Sequence, residues 1–128
     1  EDYITKGVIF KYAGKSEDVF ICPSDKSMTK DSKGSQVRRK RSYSMNIFAG
    51  GWAFWGDQKW KVYRKLSEFE APSERFVLLD MRGNSINAGN YRVDMAGWPD
   101  RPQLHRFWQD YPGVYHNDAT MFSFADGH

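Results

Sequence analysis

Apolar positions in this chain come in short runs separated by polar and turn-forming residues. From Thr5 to Ala13, the residues Val8, Ile9, Phe10, Tyr12 and Ala13 predict one short helix, with Thr5 as its N-cap and Gly14 as its stop. Val19-Phe20-Ile21-Cys22 predicts a short buried strand that Pro23 ends. Residues 26–41 are mostly Lys, Arg, Ser, Asp and Gly, which bury too little surface to order themselves, so a surface loop is expected. Ser42 to Phe48 alternates polar with apolar, which predicts a strand with Tyr43, Met45 and Ile47 on one side. Ala49-Gly50-Gly51 breaks it.

Further on, Pro72 disfavours helix just before it and Ser73 begins a new segment. Phe76-Val77-Leu78-Leu79-Asp80 is the strongest apolar run, and its continuity predicts a central strand covered on both faces. Asp80 closes that strand, at a place where side chains meet solvent. The stretch from Met81 to Tyr115 is rich in Gly, Asn and Pro and predicts a long irregular region, with Tyr91-Arg92-Val93 pairing briefly. Trp98, Trp108 and Tyr111 would pin it to the domain. The chain ends His116-Asn117-Asp118-Ala119-Thr120-Met121-Phe122-Ser123-Phe124-Ala125-Asp126-Gly127-His128. Met121, Phe122 and Phe124 read as a half-buried strand, and Asp126-Gly127 supplies turn chemistry after it.

Composition adds a class to these elements. The 128 residues fit one domain, residues 1–128. Aromatic residues are frequent, Ala and Leu are few, and turn residues recur, which favours strands and loops over a helical bundle. The expected class is α+β, dominated by an antiparallel sheet with long irregular loops. A net charge of +3 argues for solubility and does not require nucleic acid. The single cysteine, Cys22, rules out a disulfide within the chain and a thiolate-built zinc finger; it reads as a small buried hydrophobe or as the partner of a cysteine elsewhere. No run of about 18 apolar residues is present. The start at Glu1, without Met, suggests a processed or trimmed product.

Candidate chemistry is sparse. Arg38-Arg39-Lys40-Arg41, with Tyr43 nearby, resembles a basic patch, but one short cluster without a binding fold reads as solvated loop, so no nucleic-acid partner is expected. Trp52, Trp55, Trp60, Trp98 and Trp108 would serve either as core or as flat faces for pyranose rings. Catalysis would use His116 as base, Asp118 or Asp126 as orienter and Ser123 as hydroxyl. No nucleophile elbow and no phosphate-cradling glycine loop supports it, so the chain reads as non-enzymatic. For a metal, His116 and Asp118 are two apart and share a side of an extended chain, while Asp80 and Asp126 approach from strand ends. Carboxylates and carbonyls of that kind suit calcium better than zinc. The plainer reading has no cofactor, with His116 bonding a nearby carbonyl or carboxylate.

The ordered set Phe20-Ile21-Cys22-Pro23-Ser24-Asp25, Ser42-Tyr43-Ser44-Met45-Asn46, Leu66-Ser67-Glu68, Pro72-Ser73-Glu74, Leu78-Leu79-Asp80 and His116 to Gly127 resembles the bacterial pseudopilin-like family, prepilin-type proteins with an H-x(9)-DG domain. The matching residues are His116, Asp126 and Gly127, with Cys22, Pro23, Ser24 and Asp25 as the second landmark. The resemblance implies a pilin-like globular head of a type II (general) secretion or surface-filament subunit in a Gram-negative cell envelope, on the periplasmic or extracellular face of the inner membrane. Its implied partners are other pseudopilin or secretion-system subunits, and the inner membrane through an N-terminal leader and long helix that this sequence lacks. The chain also stops at His128 where family members continue into another strand. The resemblance leaves the motif a structural part: His116 fixes the loop, and Asp126-Gly127 turns the chain. The alternative is an extracellular glycan-binding domain using the tryptophans.

Overall fold

The computed structural model describes residues 3–50, 60–97, 100–107 and 109–128. Their architecture is α+β only in a thin sense, because the helical content consists of short 3-10 turns and the strands carry the fold. The centre is a four-stranded sheet of β3 (Tyr43–Asn46), β4 (Phe76–Asp80), β5 (Asn90–Tyr91) and β8 (Phe122–Phe124), in the order β5-β3-β4-β8. β4 runs antiparallel to both β3 and β8, and β5 adds parallel to β3. Two small hairpins flank the sheet: β1 (Met28–Lys30) with β2 (Gln36–Arg38), and β6 (Val93–Asp94) with β7 (Arg106–Phe107). No described helix is long and apolar enough to cross a membrane.

β4 is central, as its apolar run predicts, but it is not covered along its whole length. Leu79 and Asp80 are fully buried whereas Leu78 remains 40 % exposed, the one-sided solvation an antiparallel sheet permits. The core is small. Leu79, Met81 and Tyr91 form it, with Phe76, Ile86, Val93 and Phe107 packed around them. Phe76 stacks nearly parallel on Tyr91, with ring centroids 5.9 Å apart, and meets Phe122 edge-on at 5.3 Å.

Three expected elements take other forms. Residues 3–15 make a succession of turns, not a helix; Gly14 and Lys15 end them in left-handed backbone. Val8, Ile9 and Tyr12 stay exposed there, and a short helix whose apolar side is not buried lacks the packing that would hold it. Glu17–Phe20 is a 3-10 turn where a strand was expected, because Ser16 caps it by accepting the Asp18 amide at 3.3 Å. Residues 26–41 form the β1–β2 hairpin. Asp31 Oδ1 takes the amides of Lys33 and Ser35, both at 2.8 Å, and Gly34 supplies the positive φ of the turn.

Candidate functional site

The C-terminal end of β4 is where distant parts of the chain meet. Ser42, just before β3, accepts a hydrogen bond at its Oγ from the Cys22 amide (2.6 Å) and donates one to Asp80 Oδ1 (3.1 Å). Backbone bonds hold the same place from three sides. The Ser42 amide donates to the Phe20 carbonyl, the Met81 amide to the Ser42 carbonyl, and the Gly113 amide to the Asp80 carbonyl. Asp80 is therefore fully buried instead of meeting solvent, since segments 20–25 and 110–116 close over the strand end.

His116 is placed by a turn. Its amide and carbonyl exchange hydrogen bonds with Ala119 across Asn117 and Asp118, whose φ values of 56° and 63° are those of a primed turn that Asn and Asp tolerate. The ring then reaches inward. Nε2 lies 3.1 Å from Cys22 Sγ and 3.2 Å from Asp80 Oδ2. Sulfur, imidazole nitrogen and carboxylate oxygen all lie within 4.8 Å of one another. Cys22 and Asp80 are fully buried, while the His116 side chain is 34 % exposed and forms the outer wall.

The surroundings are polar for so small a core. Ser44 is buried on the same side as Ser42, and its hydroxyl has no hydrogen-bond partner among the described residues. The alternation of Ser42 to Phe48 thus hides its serines at this end. Tyr43 has its phenol pushed above the ordinary value by burial, then by the nearness of Asp80 and Cys22. Asp25 is fully buried, with Oδ1 taking the Ser27 amide at 2.8 Å and Oδ2 without a partner. Next to it, Tyr115 accepts the Gly83 amide (2.8 Å) and donates to the Met81 carbonyl (3.1 Å). Burial, then Asp25, raises the Tyr115 phenol.

Of the metal-ligand candidates read from sequence, His116 and Asp80 come together, but Asp118 and Asp126 do not join them. Asp118 is exposed in the turn, and its left-handed backbone removes the extended geometry that would have aligned it with His116. Asp126 is exposed and pairs with His128 Nδ1 at 2.6 Å. Gly127 adopts a positive φ of 94° in the closing turn, as the Asp-Gly pair predicts. Sequence reasoning did not place Cys22 at this site. Pro23 follows it directly, and Asp25 turns back onto it, donating its amide to the Cys22 carbonyl.

Trp52, Trp55, Trp98 and Trp108 lie outside the described residues. Trp60 is half-buried and lines a cleft of about 360 Å³ with Phe48, Tyr63, Phe69, Asn46 and Glu74. Tyr63 and Phe69 stack there, 4.3 Å between centroids.

Three comparisons, with protein-family models, with curated proteins and with solved structures, return no match to this chain.

Proposed function

We propose that this domain is a non-enzymatic, pilin-like head of a cell-envelope assembly subunit, whose motif residues serve architecture and not turnover. One observation carries this reading: His116 directs a single ring nitrogen, Nε2, at both Cys22 Sγ and Asp80 Oδ2. A Cys-His-Asp relay needs opposite nitrogens, one to take the nucleophile's proton and the other to be held by the carboxylate. Here the thiol is also fully buried, so no substrate carbonyl reaches it. The same residues tie together segments up to 94 positions apart, which is the work of a structural lock.

A second feature supports assembly. Tyr3, Val8, Ile9 and Tyr12 are all more than half exposed in the N-terminal turns, an apolar segment suited to contact with another subunit. The envelope location rests on the sequence resemblance. Fractionation and in-cell cross-linking of the native protein test the reading: recovery with the inner membrane, cross-linked to pilin-like subunits, is expected. Recovery as a free, uncross-linked monomer would remove it.

The aromatic cleft around Trp60 favours a glycan-binding alternative. Saturable quenching of tryptophan fluorescence by envelope polysaccharides, lost in Trp60→Ala, would favour it over the assembly reading.

A further inference from the structure

We infer that Cys22, Asp80 and His116 form a site for a borderline-soft divalent cation of the zinc type. The inference does not depend on the pilin-like reading. It starts from a mismatch in the hydrogen bonding. Nε2 of a neutral imidazole carries either one proton or one lone pair, so it cannot make two well-directed bonds to groups on different segments. Both neighbours are lone-pair donors, as Nε2 is in its other tautomer. Three such donors within 4.8 Å of one another fit around a single cation.

The distances agree. Tetrahedral bonds of about 2.3 Å to sulfur and about 2.0 Å to nitrogen and oxygen set S···N near 3.5 Å and N···O near 3.3 Å. The observed 3.1 Å and 3.2 Å fall within about half an ångström of these, and all three donor atoms lie within 4.8 Å of one another. The donors are also braced from behind. Ser42 holds Asp80 Oδ1 and leaves Oδ2 to face the site, and the same hydroxyl anchors the backbone of Cys22. Three protein donors are one short of a four-coordinate ion, and of the three residues His116 is the one with an exposed side chain.

Donor chemistry selects the ion. Calcium and magnesium need six or more hard oxygens, and sulfur with imidazole beside a single carboxylate oxygen is a poor match for them. Thiolate, imidazole and carboxylate together suit zinc, with cobalt(II) as its spectroscopic substitute. Binding replaces the thiol proton of Cys22, which is released to solvent. The ion then joins three segments that are remote in sequence, around a core that among the described residues has only a few buried apolar side chains. A small sheet of this kind gains most from such a cross-link.

The test uses the chain stripped of metal under reducing conditions and titrated with Co²⁺. One equivalent is expected to give visible bands of a tetrahedral ion and a thiolate-to-cobalt band in the near ultraviolet. Zn²⁺ should bleach both. Cys22→Ser should abolish the thiolate band, and His128→Ala, which removes the exposed histidine of the C-terminal turn, should leave the titration unchanged. A folded wild-type chain with no thiolate band overturns the proposal, as does a titration that His128→Ala abolishes. Should Cys22→Ser fail to fold, X-ray absorption at the zinc edge of the wild-type protein decides: one sulfur at about 2.3 Å is expected, and a shell of nitrogen and oxygen alone overturns the site.

Discussion

Ser42 and Ser44 sit two residues apart on one side of the same strand segment, both fully buried, and the structure gives their alanine variants opposite outcomes. Ser42 Oγ serves two buried partners, the Cys22 amide at 2.6 Å and Asp80 Oδ1 at 3.1 Å. Ser42→Ala leaves a buried N–H without an acceptor, at about 1–3 kcal/mol, and removes a bond to a buried charged group worth about 1.5–3 kcal/mol. The two are coupled through one oxygen, so a loss of about 3 kcal/mol is expected rather than the full sum. Ser44 Oγ is buried without a partner among the described residues, so Ser44→Ala removes an unsatisfied hydroxyl and should be neutral or stabilising by up to about 1 kcal/mol. Urea unfolding followed by tryptophan fluorescence, with metal removed from every sample, measures both. With a slope of about 1–3 kcal/mol per molar for a small domain, the Ser42→Ala midpoint should fall by about 1–3 M while that of Ser44→Ala holds or rises. A Ser42→Ala loss below about 0.5 kcal/mol, or equal losses for the two, would refute the view that Ser42 is the hub of this site.

Other consequences follow from the same geometry. His116→Ala strips the partner from buried Asp80 Oδ2 and should cost about 2–4 kcal/mol, whereas Asp126→Ala touches only an exposed turn and should leave the midpoint close to that of the wild type in the same assay. Gly113→Ala should cost about 1–3 kcal/mol by thermal melting, because the new Cβ would stand 2.5 Å from the Tyr115 ring, beside the strand end that the Gly113 amide holds. Asp110 is buried, which raises its carboxyl above the usual range against the opposing bond from the Arg92 amide. Its folded form binds a proton more tightly than its unfolded form, so its ionisation weakens the fold as pH rises through the ordinary carboxylate value to the raised one. Asp110→Asn should therefore flatten the pH dependence of stability in that window without loss at neutral pH; an unchanged dependence would remove this role.

Much of the sheet was legible because its strands carry the ordinary signals. The Phe76–Asp80 run and the polar-apolar alternation after Ser42 both form strands, and Phe122–Phe124 follows in the last motif. What failed did so for physical reasons. The β1–β2 hairpin is solvated on both faces, so no apolar periodicity marks it, and only Asp31 and Gly34 signal its turn. Val8, Ile9 and Tyr12 have helical spacing but no core to bury against, and spacing without burial does not make a helix. At the site, the pairing of His116 with a carboxylate follows from the sequence, but its choice of Asp80 over Asp118 rests on the left-handed Asn117-Asp118 turn. The Asn-Asp pair itself was the available clue.

Cys22 was the hardest residue to place, since a lone thiol reads most simply as a buried apolar group, and burial is in fact where it sits. Its neighbours change the meaning of that burial. An aliphatic side chain in its place would leave Asp80 Oδ2 and His116 Nε2 facing only each other. Burying a carboxylate is costly unless it is paired and hydrogen-bonded on both oxygens. Ser42 satisfies one oxygen of Asp80 and His116 Nε2 faces the other, while Cys22 brings its sulfur to that same nitrogen. The three residues are thus interdependent through one atom, His116 Nε2, which faces both the sulfur and the carboxylate. Such interdependence joins the two sequence landmarks, Cys22 to Asp25 and the motif that begins at His116, in one buried arrangement, although nearly the whole length of the chain separates them.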